Sequence, residues 1–247
     1  MAAPIHGSAG VAKARGAVPA ELAAELGLQL AGELDSAPRP SAPALASARH
    51  ILPVTSDISA LLPHGGLSAM TTITSGRIGA TSLLWRTLAG PSSAGAWCAV
   101  VGLERLYPLA ARAAGVDLER LALVEAAGPR IVDAAGALAS GIPVLVVPSA
   151  AFTPAQTRRL AAKCRRSGTA IVWWESRPVT GADARLEVSR ARWKGLRPNS
   201  GRRYGAGRLT ACELDVASRW RGGLTRRAAV WPYGRPPDSL LDMRGRP

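Results

Sequence analysis

Between residues 68 and 174 the chain alternates short apolar runs with stretches of helical periodicity. The runs at 69–73, 97–101, 121–124, 143–147 and 170–174 predict strands, and 80–89, 106–114, 129–139 and 154–166 predict the helices between them. Strands alternating with helices imply a parallel sheet covered on both faces. The runs VLVV and AIVWW are unbroken, the pattern of strands buried on both sides. After Pro178 the pattern changes. Residues 184–193 and 208–216 alternate polar and apolar positions around a Gly/Arg-rich stretch at 198–207, which predicts an antiparallel hairpin extending the sheet with one wet face. The segment 221–247 holds six arginines, four prolines and four glycines and predicts a loosely ordered tail. Trp220 and Trp231 are then either partner-binding anchors or side chains packed back on the sheet.

Upstream, residues 19–34 place Leu22, Leu26, Leu28, Leu30 and Leu34 near helical spacing, with proline at the start and acids in the first turns. That predicts an amphipathic helix. Residues 35–50, rich in Pro, Ser and Ala, predict a linker, and His64-Gly65-Gly66 a turn. The domain division expected is 1–50 for the helix and linker, 51–217 for an α/β core and 218–247 for a basic tail. A chain of 247 residues with 47% hydrophobic side chains can bury such a core.

Charge changes the picture at the carboxyl end. The net charge is +14, and residues 185–247 carry fifteen Arg and Lys against five Asp and Glu. Such a region suits phosphate backbones or an acidic partner through a salt-sensitive attraction. Arginine outnumbers lysine 28 to 3 in an alanine-rich chain, so part of the excess reflects codon bias rather than nucleic-acid binding. Tryptophan and arginine recur at interface hot spots, which makes Trp193, Arg202, Arg203, Trp220, Arg221, Arg226, Arg227 and Trp231 the partner-binding candidates. Cys98, Cys164 and Cys212 are far apart and odd in number, with only His6, His50 and His64 for company. Neither a disulfide framework nor a zinc site follows. Residues 1–15 have no apolar leader, and the uncharged stretch 134–157 is interrupted by Gly136, Gly141, Pro143 and Pro148, so a cytoplasmic protein without a membrane span is expected.

The stretch 70–84, MTTITSGRIGATSLL, reads as a strand, a tight turn and the opening of a helix. That is the shape of a phosphate-binding loop, in which backbone N–H groups cradle phosphates, a lysine neutralises them and a hydroxyl holds magnesium. Here Thr74 stands where the first glycine belongs, Gly79 matches the second, Ala80 replaces the lysine and Thr81 matches the hydroxyl. Gly76 completes the turn, and Arg77 is the nearest cation. An alanine methyl supplies neither charge nor donor to a triphosphate. The expectation is the architecture of a nucleotide site without its chemistry, and no cofactor.

The order of strand, loop, helix, strand with acid, GVDL turn, helix and apolar strand followed by Thr153-Pro154 resembles the RecA family of P-loop ATPases over residues 51–217. Its nearest stretches are CAVVGLERLYPLAARAAGVDLERLALV at 98–124 and PVLVVPSAAFTP at 143–154. The resemblance implies a RecA-like core with a mostly parallel sheet, an N-terminal helix and a C-terminal antiparallel extension. It places Glu104 at the catalytic glutamate, Pro148 at the magnesium-orienting aspartate and Glu175 at the nucleotide-sensing glutamine. Proline has no group for the aspartate's task, and Glu104 alone becomes a surface acid or an ion-pair partner. The segments after Pro154 and Arg177 are also too short for the family's two DNA-gripping loops. A short RecA-like chain with these losses is similar to the ImuA family, notably its actinobacterial branch, ImuA-prime. The resemblance implies an accessory role in damage-induced translesion synthesis, with an ImuB-like inactive Y-family polymerase homologue and a C-family polymerase as partners and DNA as a further one. The alternatives are a divergent ATPase using Arg77, Thr81 and Glu104, and a RecA-like inhibitor of cell division.

Overall fold

The computed structural model describes residues 51–195 and 211–235. The predicted helix at 19–34, the linker at 35–50, the whole stretch at 198–207 and residues 236–247 lie outside the described residues. Each parallel strand forms where the apolar runs are, and eight strands make one sheet: β1 (Met70–Thr74), β2 (Cys98–Val101), β3 (Leu121–Val124), β4 (Val144–Pro148), β5 (Ala170–Glu175), β6 (Ala184–Lys194), β7 (Ala211–Trp220) and β8 (Thr225–Val230). Their order is β3-β2-β4-β5-β1-β6-β7-β8. Every neighbouring pair from β3 to β6 is parallel, and β7 pairs antiparallel with both β6 and β8. The molecule is thus α/β, with a mostly parallel sheet and a C-terminal antiparallel extension.

Among the described residues five α-helices accompany the sheet: α1 (Ser56–Ser59), α2 (Ala80–Ser93), α3 (Pro108–Ala113), α4 (Arg130–Leu138) and α5 (Pro154–Ser167). Helix α5 shows how local sequence fixes an element. Thr153 accepts a hydrogen bond from the Gln156 N–H while the Gln156 side chain accepts one from the Thr153 N–H, Pro154 fits the first turn, and Gly168 ends the helix in the left-handed conformation.

Two apolar cores lie on opposite faces of the sheet. One joins Leu83, Leu84 and Leu88 of α2 and Ala111 of α3 to Ile73, Leu186, Leu214 and Val216. The other joins Ile131 and Ala135 of α4 and Leu160 and Cys164 of α5 to Val101, Leu145 and Ile171. The first core continues under β6 to β8, whereas β6 to β8 contribute nothing to the second. The outer face of this extension is therefore the wet face that the alternation predicts.

The expected tail is corrected by the structure. Residues 225–230 form β8, paired with β7 from Leu214↔Val230 to Arg219↔Thr225. The sheet therefore runs past residue 217. The composition conceals this strand because Arg226 and Arg227 fill its first half and only two apolar positions point inward, Ala228 and Val230, the latter fully buried. Trp220, expected either as an anchor or as a packed side chain, packs against the first core and donates its indole N–H to the Leu61 carbonyl at 2.9 Å.

Helix α2 is laid unusually close to the segment that precedes it. A Cβ on Gly90 would lie 2.4 Å from the Val54 Cα and 2.7 Å from the Pro53 carbonyl oxygen, backbone atoms that cannot turn aside. Gly90→Ala gains about 1 kcal/mol of helix propensity and meets overpacking that costs about 1–3 kcal/mol. The clash is with backbone, so the variant is expected to be less stable than the parent by about 1 kcal/mol or more in urea unfolding. An alanine variant more stable than the parent would show that α2 and residues 53–54 are not in this contact.

Candidate functional site

The carboxyl ends of β1, β2, β4 and β5 share one edge of the sheet, and the turn that resembles a phosphate loop, residues 75–79, joins β1 to α2 there. Gly76 and Gly79 have φ of 77° and 90°, the left-handed region that favours glycine. Thr74 closes β1 opposite Glu175, and the Ser75 N–H and hydroxyl both donate to the Glu175 carbonyl, at 2.8 and 2.9 Å. The Ala80 N–H donates to the Arg77 carbonyl at 3.0 Å. Three donors of the turn and the helix start are thus committed to the protein's own backbone.

The side chains are committed as well. Arg77 donates from Nε and Nη2 to the same oxygen of Glu187 on β6, at 3.0 and 2.7 Å. Ala80 is 2% exposed, so the position at which the motif carries lysine points its methyl into the core. Thr81 is half-buried in the first turn of α2, and its neighbour Ser82 shares a hydrogen bond with the Tyr233 hydroxyl at 2.8 Å. A Cβ on Gly79 would lie 2.6 Å from the Leu214 Cδ2 and 3.5 Å from the Ala191 Cβ, because the β6–β7 hairpin packs directly on the turn.

The remaining positions scatter. Glu104 is exposed after β2, with β4 and β5 between that strand and β1. It lines an open cleft of about 640 Å³ with Leu103, Arg105, Leu106, Glu125 and Arg130, and none of the loop residues borders it. Pro148 ends β4, and the buried Ser149 after it accepts hydrogen bonds from the N–H groups of Ser176 and Arg177. Glu175 is 6% exposed, accepts the Val179 N–H at 2.8 Å and pairs with Arg185 at 3.0 Å. It braces the turn from β5 to β6. Among the described residues no group of three or more His, Cys, Asp or Glu is placed to hold a metal. Burial raises the Cys98 thiol to about 12 and the Cys164 and Cys212 thiols to about 11, which leaves all three protonated and unreactive at neutral pH.

On the wet face of the extension the acids are taken up one by one. Arg192 donates to both oxygens of Glu213 and both oxygens of Asp215, at 2.8–3.2 Å. Those hydrogen bonds, first to Glu213 and then to Asp215, push its pKa higher still. Glu187 is held by Arg77. Among the described residues of the extension Arg190, Lys194, Arg226, Arg227 and Arg235 have no carboxylate partner. Three of these cations sit on indoles instead: Arg226 over Trp220 at 5.7 Å, and Lys194 and Arg235 over Trp231 at 5.5 and 5.9 Å. Trp193 is 38% exposed and lies tilted against Tyr233, ring centroids 6.1 Å apart.

Of the partner-binding candidates, Trp193, Arg226, Arg227 and Trp231 therefore share the described extension. Arg221 is occupied, paired with Asp183 at 3.2 Å and hydrogen-bonded to the Gly181 carbonyl, and Trp220 is tied to Leu61. Arg202 and Arg203 lie outside the described residues. Sequence reading missed Asp57 and Arg86, which form a half-buried ion pair beneath Trp231. The Arg86 Nε donates to both Asp57 oxygens at 3.2 and 3.0 Å, and the Trp231 N–H donates to Asp57 at 3.2 Å. These residues border a cavity of about 460 Å³ with Ser56, Glu213 and Arg235. No motif marks that site, because its parts are 174 residues apart.

Residues 60–180 match the family model described as MT3502 N-terminal domain. The matched segment takes in β1 to β5 and stops before β6. No curated protein matches the chain. No helix among the described residues is long and apolar enough to cross a membrane.

Two stability measurements check this site. Gly79→Val is expected to destabilise the fold by at least ~1 kcal/mol with no nucleotide present, since both φ and the Leu214 contact oppose a branched side chain. A parent-like unfolding curve would mean that the turn and hairpin do not meet. Burial pushes the Asp57 carboxyl up, but the hydrogen bonds it accepts and the Arg86 charge outweigh this, and its pKa lies below the ordinary 3.8. A carboxyl depressed in the folded state contributes stability that is fully present above the unfolded pKa and is lost as pH falls through the folded value. Removing one partner of such a pair costs about 3 kcal/mol when it is buried. Asp57→Asn should therefore approach that loss at pH 7, and its difference from the parent should shrink below pH 3.8; a difference independent of pH would refute the assignment.

Proposed function

We propose that the protein is a non-catalytic adaptor built on a RecA-like core, an accessory factor of damage-induced translesion synthesis whose partners are an ImuB-like polymerase homologue and, with it, a C-family polymerase. The observation that carries this reading is the commitment of the phosphate loop to the fold. The Ser75 and Ala80 N–H groups, the Arg77 guanidinium and the Ala80 side chain all have internal partners or surroundings. A turn organised in this way supports neighbouring elements. The RecA-like part of the reading draws on the order of features along the chain. Turn, acid after β2, apolar β4 and Thr153-Pro154 before α5 follow in the sequence that the resemblance implies.

The adaptor surface is the wet face of β6 to β8. Its carboxylates are neutralised by Arg192 and Arg77, so Arg190 and Arg227 present charge to an acidic partner rather than to one another's neighbours. Steering by such a face speeds encounter and selects partner sign more than it raises affinity.

Millimolar ATP with magnesium is expected to leave the melting temperature unchanged, whereas a ligand at ~100 times its dissociation constant would stabilise the fold by ~2.7 kcal/mol. A clear stabilisation that disappears in Thr81→Ala would overturn the non-catalytic reading. In parallel, the double variant Arg190→Glu, Arg227→Glu should weaken capture of an ImuB-like polymerase by about 2 kcal/mol or more, and undiminished capture would place the partner surface elsewhere.

A further inference from the structure

The far end of the extension gathers aromatic rings and cations that have no carboxylate partner among the described residues. The last two residues of β6 each reach across to the segment after β8: Trp193 to Tyr233 and Lys194 to Trp231. Arg235 reaches the same indole from the other side in sequence. Among the described residues the acids beside the cluster are taken, Glu213 by Arg192 and Asp57 by Arg86, so Lys194 and Arg235 keep their charge. A half-buried ring flanked by cations that have no carboxylate partner among the described residues offers a single nucleic-acid strand both of its contacts: a base stacks on the ring and phosphates pair with the cations. A duplex hides its base faces and offers only the second contact.

We infer that Trp231, Lys194 and Arg235 form a binding site for single-stranded nucleic acid. One base stacks on Trp231 after displacing a cation from the ring, and Lys194 and Arg235 move to the flanking phosphates. The backbone of Trp231 stays fixed by its hydrogen bond to Asp57, so the platform holds its place while the cations shift. The contacts address phosphate and base faces, and DNA and RNA strands are bound alike. The inference rests on reading the extension as a partner surface, and it adds a nucleic-acid site to the protein-binding face that carries Arg190 and Arg227.

The test uses the full chain with fluorescent oligo-dT, oligo-rU and a duplex of mixed sequence, titrated at several salt concentrations. The parent should prefer either single strand to the duplex, with log affinity falling against log salt at a slope of about −1.4 or steeper for two neutralised phosphates. Trp231→Ala should weaken single-strand binding about tenfold with the slope unchanged, Trp231→Phe should recover most of it, and Lys194→Ala should make the slope shallower by about 0.7. Equal binding of duplex, or parent affinity in Trp231→Ala, would overturn the site and leave only a non-specific basic surface. If Trp231→Ala does not fold, the Phe and Lys194→Ala variants decide: unchanged affinity and slope in the latter refute the inference. The outcomes are separable from those for the adaptor reading, because polymerase capture is read with Arg190 and Arg227, which this site does not contain.

Discussion

The rest of the structure depends on how near α2 can come to its neighbours. At its start Gly79 admits Leu214 and Ala191 of the hairpin, and in its last turns Gly90 admits the backbone of residues 53–54. Between those two bare positions Leu83, Leu84, Trp85 and Leu88 are fully buried. The helix is thereby fixed at both ends. It carries Arg86 to Asp57, and Ser82 to Tyr233, so that the segment after β8 is tied to the first residues of the core.

That packing has a consequence for chemistry. A phosphate loop binds through groups left unsatisfied by the fold, and it needs open space above the helix start. Here the hydrogen bonds of Ser75 and Ala80 and the pairing of Arg77 with Glu187 take up part of the turn from within. Through its bonds to Glu175 and Glu187 and the packing of Leu214 on Gly79, the turn serves as a joint between the parallel sheet and its extension.

The extension then presents the charge. Fifteen cations against five acids describe the region only on average. Pairing sorts them: Arg192 holds two acids at once, Glu175 takes Arg185, and Asp183 takes Arg221. What remains without a carboxylate among the described residues is a smaller set, Arg190, Lys194, Arg226, Arg227 and Arg235, and the indoles of Trp220 and Trp231 hold three of them in place. The match to MT3502 N-terminal domain ends before these strands, so the parallel core and the charged extension are distinct in the sequence comparison as well as in the sheet.

The sequence by itself determined the elements whose information is local. Unbroken apolar runs became β2, β4 and β5, the Thr153-Pro154 start and Gly168 stop bounded α5, and the alternation after Ala184 became a hairpin with one wet face. The absent lysine at Ala80 was legible for the same reason. Only the tertiary structure decided the strand order, the presence of β8, which arginines are paired and what each tryptophan touches. Residues 225–230 look like a charged tail because a strand at the edge of a sheet needs only two inward apolar positions, and its remaining stability comes from hydrogen bonds to β7 that no local pattern encodes. The Asp57–Arg86–Trp231 site is invisible along the chain for a related reason: its three members meet through the closure of α1 and α2 on the end of β8, and contacts between distant residues are set by packing rather than by spacing.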